Sequence, residues 1–242
     1  MSIPRFYQNK PLALGDCILD EAAAHHIMHV LRLKVGSEII VFNGNGDEFK
    51  GALCQVDKKA VVATVEQSYP VQNESFLALH LVQAISRKDH MDLTLQKAVE
   101  LGVTQITPVI SDFSNMKQNQ TEFNHKENHW QKIIISASQQ SGRSVITRLN
   151  PIISFREALH NIQAERCLFL SPRADALSEK LWAVPSKSVA LFVGCEGGFS
   201  ENEENLAKVS GLTAIALGKR ILRTETASIA ALAILQYCLG DL

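Results

Sequence analysis

From residue 76 onward, short apolar runs alternate with stretches of helical length, and this alternation constrains the fold more than any other feature of the chain. Residues 76–85, 105–110, 167–170, 189–193 and 213–217 are runs of strand length, rich in Leu, Ile, Val and Phe. Residues 89–101, 128–141, 200–209 and 224–239 carry helical patterning, with Gly102, Gly142 and Gly240 in stop positions. Ser200, with Glu203 three residues later, is a capping-box signature. Apolar strands separated by helices predict a mostly parallel sheet covered on both faces.

The first 70 residues follow a different rhythm. Residues 37–42, 48–56 and 60–65 alternate as half-buried strands do. Asn43-Gly44-Asn45-Gly46 is a hairpin turn between the first two, and Asp57-Lys58-Lys59 is a tight polar turn between the second and third. Residues 21–31 are the one helical segment here. A small β-barrel or β-rich module is expected, joined through a linker at residues 69–74 to the α/β region, which places the domains at 1–72 and 73–242. A chain of 242 residues with 46% apolar content can bury such cores without disulfides. Its five cysteines, odd in number and without a CxxC pair, argue against a disulfide framework or structural zinc and fit a reduced cytoplasmic compartment. No apolar run is long enough to span a bilayer, so no membrane partner is expected.

Two of the strands run into similar loops. Leu191-Phe192-Val193-Gly194 leads into Cys195-Glu196-Gly197-Gly198 and a capped helix, and Ala214-Ile215-Ala216-Leu217-Gly218 leads into residues 219–226 and another helix. In open α/β sheets ligands bind beyond the carboxyl ends of strands, where glycines let backbone approach them closely. Both loops are therefore site candidates, although such glycines can also serve only to make sharp turns. Neither loop is a GxGxxG or GxxxxGK[ST] motif, which sets aside a dinucleotide or P-loop site.

Taken together, Val193-Gly-Cys-Glu-Gly-Gly-Phe-Ser200, Leu217-Gly-Lys-Arg-Ile-Leu-Arg-Thr-Glu-Thr226, Gln96-Lys-Ala-Val-Glu-Leu-Gly102, Gln139-Gln-Ser-Gly-Arg143 and His25-His-Ile-Met-His-Val-Leu-Arg-Leu-Lys-Val-Gly36 resemble the small-subunit (16S) ribosomal RNA uridine-N3 methyltransferases of the SPOUT superfamily. The likeness is collinear from Arg5 to the C-terminus. It implies a PUA-like RNA-binding barrel followed by an α/β domain with a deep trefoil knot, a homodimer, and a knot that binds S-adenosylmethionine. By position it assigns Gly194, Glu196 and Gly197 in one loop, and Leu217, Gly218, Leu222, Arg223, Thr224 and Thr226 in the other, to the cofactor. The chain departs from the family pattern at Cys195 and Lys219, where proline is usual or frequent, at Lys88, near which a glycine is frequent, and near Ser114-Asn115, where an Arg-Ser pair is common.

The chemistry this implies can be read onto residues. Uridine N3 carries a proton and becomes nucleophilic only when that proton leaves, with charge spreading to O2 and O4. A site for it needs a base, a cation that favours the deprotonated ring, or both. Arg223 is the candidate cation, and Glu196 and Glu225 are candidates to orient it or to act as base. Glu225 could instead only favour the positive end of its helix, and Thr224 and Thr226 could be helix-start residues.

Because N3 lies on the Watson–Crick edge, the target uridine must be unpaired or flipped out. The net charge of −1 gives no global basic signature, so RNA contact rests on local cations, for which Arg5, Arg32, Lys34, Arg87, Lys88 and Arg143 are candidates. The implied partner is 16S ribosomal RNA or the assembled small subunit. His25, His26 and His29 have helical spacing but no acid or cysteine follows them at a ligand spacing, so no metal is expected. Two other readings stand beside this one: a related methyltransferase acting on another RNA, and a non-catalytic RNA-binding or ribosome-assembly protein.

Overall fold

The computed structural model describes residues 3–114, 119–174 and 185–242. Asn115, part of one departure from the family pattern, lies outside them. The chain divides into two compact units: Met1–Glu74 with Ser138–Ile146, and Ser75–Ala137 with Thr147–Leu242.

The first unit contains β1 (Arg5–Tyr7), β2 (Gly15–Ile18), α1 (Glu21–His25), a π-helical turn (His26–Leu31), β3 (Glu38–Phe42), β4 (Asp47–Val56) and β5 (Val61–Pro70). These strands form one sheet in the order β1-β3-β4-β5-β2, antiparallel except for the β1–β3 pair. Phe6, Ile39, Val41, Leu53, Val61 and Ala63 point to one side and pack with Ile27 as the core, which is the alternation the sequence carries.

Three details differ from the sequence expectation. First, β5 continues into the first two residues of the segment assigned to a linker, pairing Tyr69 with Glu48 and Pro70 with Asp47; a proline at a strand end interrupts no continuing ladder. Second, the helix over residues 21–31 widens in its second half and closes where Leu33 N–H bonds the Ile27 carbonyl at 3.0 Å, with Arg32 left-handed at φ 53°. Third, β1 and β2 have three and four residues, too few for alternation to register.

The second unit contains β6 (Ala78–Ala84), α2 (Lys88–Glu100), β7 (Gln105–Ile110), α3 (Gln120–Ser141, whose last turn groups with the first unit), β8 (Arg148–Leu149), β9 (Ile153–Ser154), α4 (Phe155–Asn161), β10 (Arg166–Leu170), β11 (Ser188–Val193), α5 (Glu201–Val209), β12 (Thr213–Ile215) and α6 (Thr224–Leu239). Its strands run in the order β12-β10-β11-β6-β7-β8, with β9 also on β7, and every described pairing is parallel.

Side chains alternate between the two faces of this sheet. Val82, Ala84, Phe169, Ala190 and Phe192 pack under α4 and α5 through Phe155, Ala158 and Ala207. The intervening residues, Gln83 among them, face the other side, where Gln83 meets Ser228 of α6. The capping box at Ser200 is present: its hydroxyl accepts from Glu203 N–H, and the Glu203 carboxylate accepts from Ser200 N–H. Among the described residues no helix is long and apolar enough to cross a membrane, and no group of three or more His, Cys, Asp or Glu is disposed to hold a metal.

Candidate functional site

Strands β10, β11 and β12 are adjacent and parallel, so their carboxyl ends open at one edge of the sheet. A cavity of about 280 Å³ lies there. Leu170 to Pro172, Val193 to Gly198, and Ile215 to Gly218 wall it, with Arg220, Ile221, Leu222, Thr224 and Ala227 closing the far side. Its lining is mostly apolar, with few polar groups, as in small-molecule sites.

Backbone geometry explains the glycines. A Cβ on Gly194 would lie 2.6 Å from the Gly198 carbonyl carbon, because the loop folds back on itself there. Gly198 closes that fold with φ +71°, a left-handed conformation, and donates its N–H to the Cys195 carbonyl at 2.9 Å. Gly197 packs on the Phe113 ring, which a Cβ would meet at 3.1 Å.

The two loops are tied together beneath the cavity. Thr224 Oγ1 donates to the Gly194 carbonyl at 2.6 Å and accepts from Gln83 Nε2 at 3.2 Å. Ser228 Oγ bonds Gln83 Oε1 at 2.8 Å. Gln83, Thr224 and Ser228 are all buried, so the network is shielded from competing water. By contrast, the main chains of Leu217, Gly218 and Leu222 make no backbone hydrogen bond to another described residue.

The charged groups lie at the rim. Glu196 lines the cavity, and its Oε1 accepts from Arg87 N–H at the start of α2 and from His90 Nδ1, each at 2.9 Å. Partial burial disfavours the Glu196 charge. The N–H groups of Arg87 and Glu196 itself, with the His90 ring, outweigh that and hold its pKa below the ordinary carboxylate value. Glu225 is buried in the first turn of α6, with Oε2 3.7 Å from the same His90 nitrogen. Arg223 is exposed as the residue capping α6, and neither it nor Thr226, also exposed, lines the cavity. The other residues assigned to the cofactor, Gly194, Glu196, Gly197, Leu217, Gly218, Leu222 and Thr224, all do.

Cys195 is buried, with Ser111 Oγ and the Gly198 carbonyl each 3.9 Å from its sulfur, and among the described residues no histidine is bonded to it to activate it as a nucleophile.

The six RNA candidates separate into two groups. Arg32, Lys34, Arg87 and Lys88 are exposed. Arg5 and Arg143 are tied up inside the first unit. Arg5 pairs with Glu48, bonds Ser144 Oγ at 2.9 Å and lies 5.1 Å from the centroid of the Phe42 ring. Arg143, 5% exposed, forks onto Glu74 through Nε at 3.0 Å and through Nη2. Both therefore hold the unit together rather than stand free as surface cations.

The family model of an RNA methyltransferase domain matches residues 73–236, and that of an RNA methyltransferase PUA domain matches residues 19–66. The chain is 35% identical over 244 aligned residues to ribosomal RNA small subunit methyltransferase E of Buchnera aphidicola subsp. Schizaphis graminum, covering 99% of this chain and 98% of that relative. The chain belongs to the ribosomal RNA small subunit methyltransferase E family. The methyltransferase E of Bacillus subtilis is 31% identical over 222 residues, 88% of this chain and 86% of that protein. Among solved structures, the methyltransferase E of Neisseria gonorrhoeae bound to S-adenosyl methionine superposes with a TM-score of 0.91 at 40% identity, covering 100% of both chains. A Legionella pneumophila protein solved with the bound cofactor SAM does so at 0.96 and 35%, again over 100% of both.

Three residues of this methyltransferase E family member escaped the sequence reading. Gln83 left a trace: it is the one amide in the run Leu79 to Ile85 whose neighbours on its own face are apolar, where a buried polar group needs partners. His90 and Ser228 left none, because an ordinary helical pattern absorbs a histidine or a serine.

Proposed function

We propose that this protein transfers a methyl group from S-adenosylmethionine to N3 of a specific uridine in 16S ribosomal RNA of the small subunit. The observation that carries the reading is the cavity at the ends of β10, β11 and β12. Its glycine cradle is shaped by the Gly194–Gly198 contact, and Leu217, Gly218 and Leu222 of the second loop complete its lining. The apolar walls suit a heteroaromatic ring and a thioether-like chain, and the ionised Glu196 suits a cationic ligand. S-adenosylmethionine supplies, when bound, a methyl group on a positively charged sulfur.

The protein's own residues supply position and charge. Holding donor and acceptor in line accounts for much of the rate. Arg223, exposed beside Leu222 and Thr224, is the cation that favours the deprotonated uracil through O2 or O4. Glu196, on the rim and ionised at neutral pH, is the carboxylate that faces the acceptor and takes or directs the N3 proton. Glu225, outside the cavity lining, acts behind it.

The same reading extends to the rest of the chain. Residues 1–72 serve as the PUA-like RNA-binding domain and residues 73–242 as the methyltransferase domain, with the cofactor loops knotted in the SPOUT manner. Arg32, Lys34, Arg87 and Lys88 contact RNA. A homodimer is supported by α6, where the partly uncovered Ile229, Ala233 and Ile234 lead to Tyr237, 77% exposed, at helical spacing. Ribosomal RNA as substrate implies a cytoplasmic location.

Purified protein incubated with small subunits or their RNA and labelled S-adenosylmethionine tests the reading. Nucleoside mass spectrometry is expected to find the label in N3-methyluridine. Label at another position or base, or calorimetry that detects no cofactor binding, would refute it.

A further inference from the structure

His90 stands between the two site carboxylates and has no place in the chemistry described so far. Its Nδ1 lies 2.9 Å from Glu196 Oε1 and 3.7 Å from Glu225 Oε2. Glu225 Oε2 is buried and, among the described residues, has no hydrogen-bond partner. A buried carboxylate oxygen without a partner is costly and needs a reason. Glu196, by contrast, is satisfied twice, by Arg87 N–H and by His90.

The two acceptors therefore compete for one ring nitrogen. The ring sits on the first turn of α2, a helix of 13 residues, and is itself partly buried, with 27% of its side chain exposed. Its position is thus set by the helix rather than by solvent. The groups facing it are Glu196 from the loop after β11 and Glu225 from α6. A movement of less than an ångström would pass the N–H from Glu196 to Glu225.

We propose that His90 is a positioning residue for methyl transfer, holding Glu196 in place at the cavity rim through its Nδ1–H and passing that hydrogen bond to the unpartnered Glu225 Oε2 when Glu196 engages the RNA base. The proposal rests on the reading of Glu196 as the carboxylate that faces the acceptor. It explains two facts at once: why Glu196 is fixed although exposed, and why a carboxylate oxygen is buried without a partner. No bond to carbon is made or broken at His90. Glu196 loses one donor as it accepts the proton or a hydrogen bond from N3, and Glu225 gains that donor, so the number of unpaired carboxylate oxygens does not rise during the step.

The test uses His90→Phe, which keeps a ring but no N–H, and His90→Asn, whose amide nitrogen falls near the place of Nδ1. Both are made in the full chain and in a Glu196→Gln background. In cofactor-free protein, carbon-13 titration of the Glu196 carboxyl is expected to shift upward in His90→Phe and to return toward wild type in His90→Asn. In single turnover at saturating S-adenosylmethionine, His90→Phe is expected to slow methyl transfer at least tenfold, and His90→Asn to recover to within about threefold. In the Glu196→Gln background, His90→Phe is expected to cost less than twofold, because a residue acting through Glu196 has nothing left to position. Equal loss in both backgrounds, an Asn variant as slow as the Phe variant, or a Glu196 titration identical in all three proteins would overturn the proposal. Absence of methyl transfer by the wild-type protein would instead strike the functional reading, and the carboxyl titration would still decide the role of His90.

Discussion

Thr224 Oγ1 donates a 2.6 Å hydrogen bond to the carbonyl of Gly194, joining the first residue of α6 to the first residue of the glycine loop. Both groups are buried, and among the described residues the only other donor to that carbonyl is Gln83 Nε2 at 3.4 Å. Replacing Thr224 with Val keeps the shape of the side chain and removes the donor. The Gly194 carbonyl is then left nearly unpaired, at a cost of about 1–3 kcal/mol. Urea unfolding is expected to register that loss, and calorimetry to register weaker S-adenosylmethionine binding, because both loops line one cavity.

Gly194→Ala addresses the loop itself. The added methyl would lie 2.6–2.9 Å from the Gly198 main chain, and a backbone atom cannot swing aside as a side-chain tip can. The loop must open, and cofactor affinity is expected to fall by roughly tenfold or more, about 1.4 kcal/mol. Calorimetry checks this, and unchanged affinity would show that the fold-back of the loop is not needed for binding.

Arg223→Ala separates chemistry from stability. The side chain is exposed, caps α6 without a side-chain hydrogen bond, and has no described ion-pair partner. Its removal is expected to change folding free energy by less than about 0.5 kcal/mol. Turnover is expected to fall more than tenfold, over ~1.4 kcal/mol of transition-state stabilisation. A variant with near-normal turnover would take Arg223 out of the mechanism.

His80 makes folding depend on pH. Burial, aided by the Arg148 charge, pushes its pKa down from 6.5 to about 4, so the folded protein keeps the ring neutral where the unfolded chain would protonate it. The unfolded state binds more protons between those values, so stability is complete above pH 6.5, declines as pH falls toward 4, and levels off below it. The decline attributable to this ring is on the order of 3 kcal/mol. Unfolding curves at pH 7 and pH 4.5 are expected to differ less for His80→Gln, which keeps a nitrogen near Thr107 Oγ1, than for wild type. Equal differences in the two proteins would remove His80 as the source.

The α6 stripe gives the oligomer test. Light scattering is expected to report twice the chain mass for wild type, and half of that for Tyr237→Glu. A monomeric wild-type protein would contradict the dimer.

Much of this architecture is written in local pattern, and the rest is not for identifiable reasons. The run Val189 to Val193 and the helix Thr224 to Leu239 each carry enough apolar residues for periodicity to speak, and the Ser200–Glu203 cap is a spacing of three. The two-residue strands at Arg148 and Ile153 exist only because β7 is there to pair with them, so no local signal precedes them. The loops after Val193 and Ile215 could be placed as a site because strand ends and glycines coincide. That Arg5 and Arg143 are paired inward with Glu48 and Glu74 depends on contacts across long sequence separations, and a cation in sequence looks the same whether it faces solvent or a carboxylate. His90 was invisible for the same reason: its meaning comes from Glu196 and Glu225, more than a hundred residues away.

The central claim is that the Gly194 and Leu217 loops, with Arg223 beside them, methylate N3 of a uridine in 16S ribosomal RNA. The most direct measurement is a nucleoside map of that RNA from cells lacking this protein, and from the same cells carrying it as wild type or as Arg223→Ala. N3-methyluridine is expected to vanish on deletion, to return with wild type, and to stay largely absent with the variant. Its persistence in the deletion strain would contradict the account.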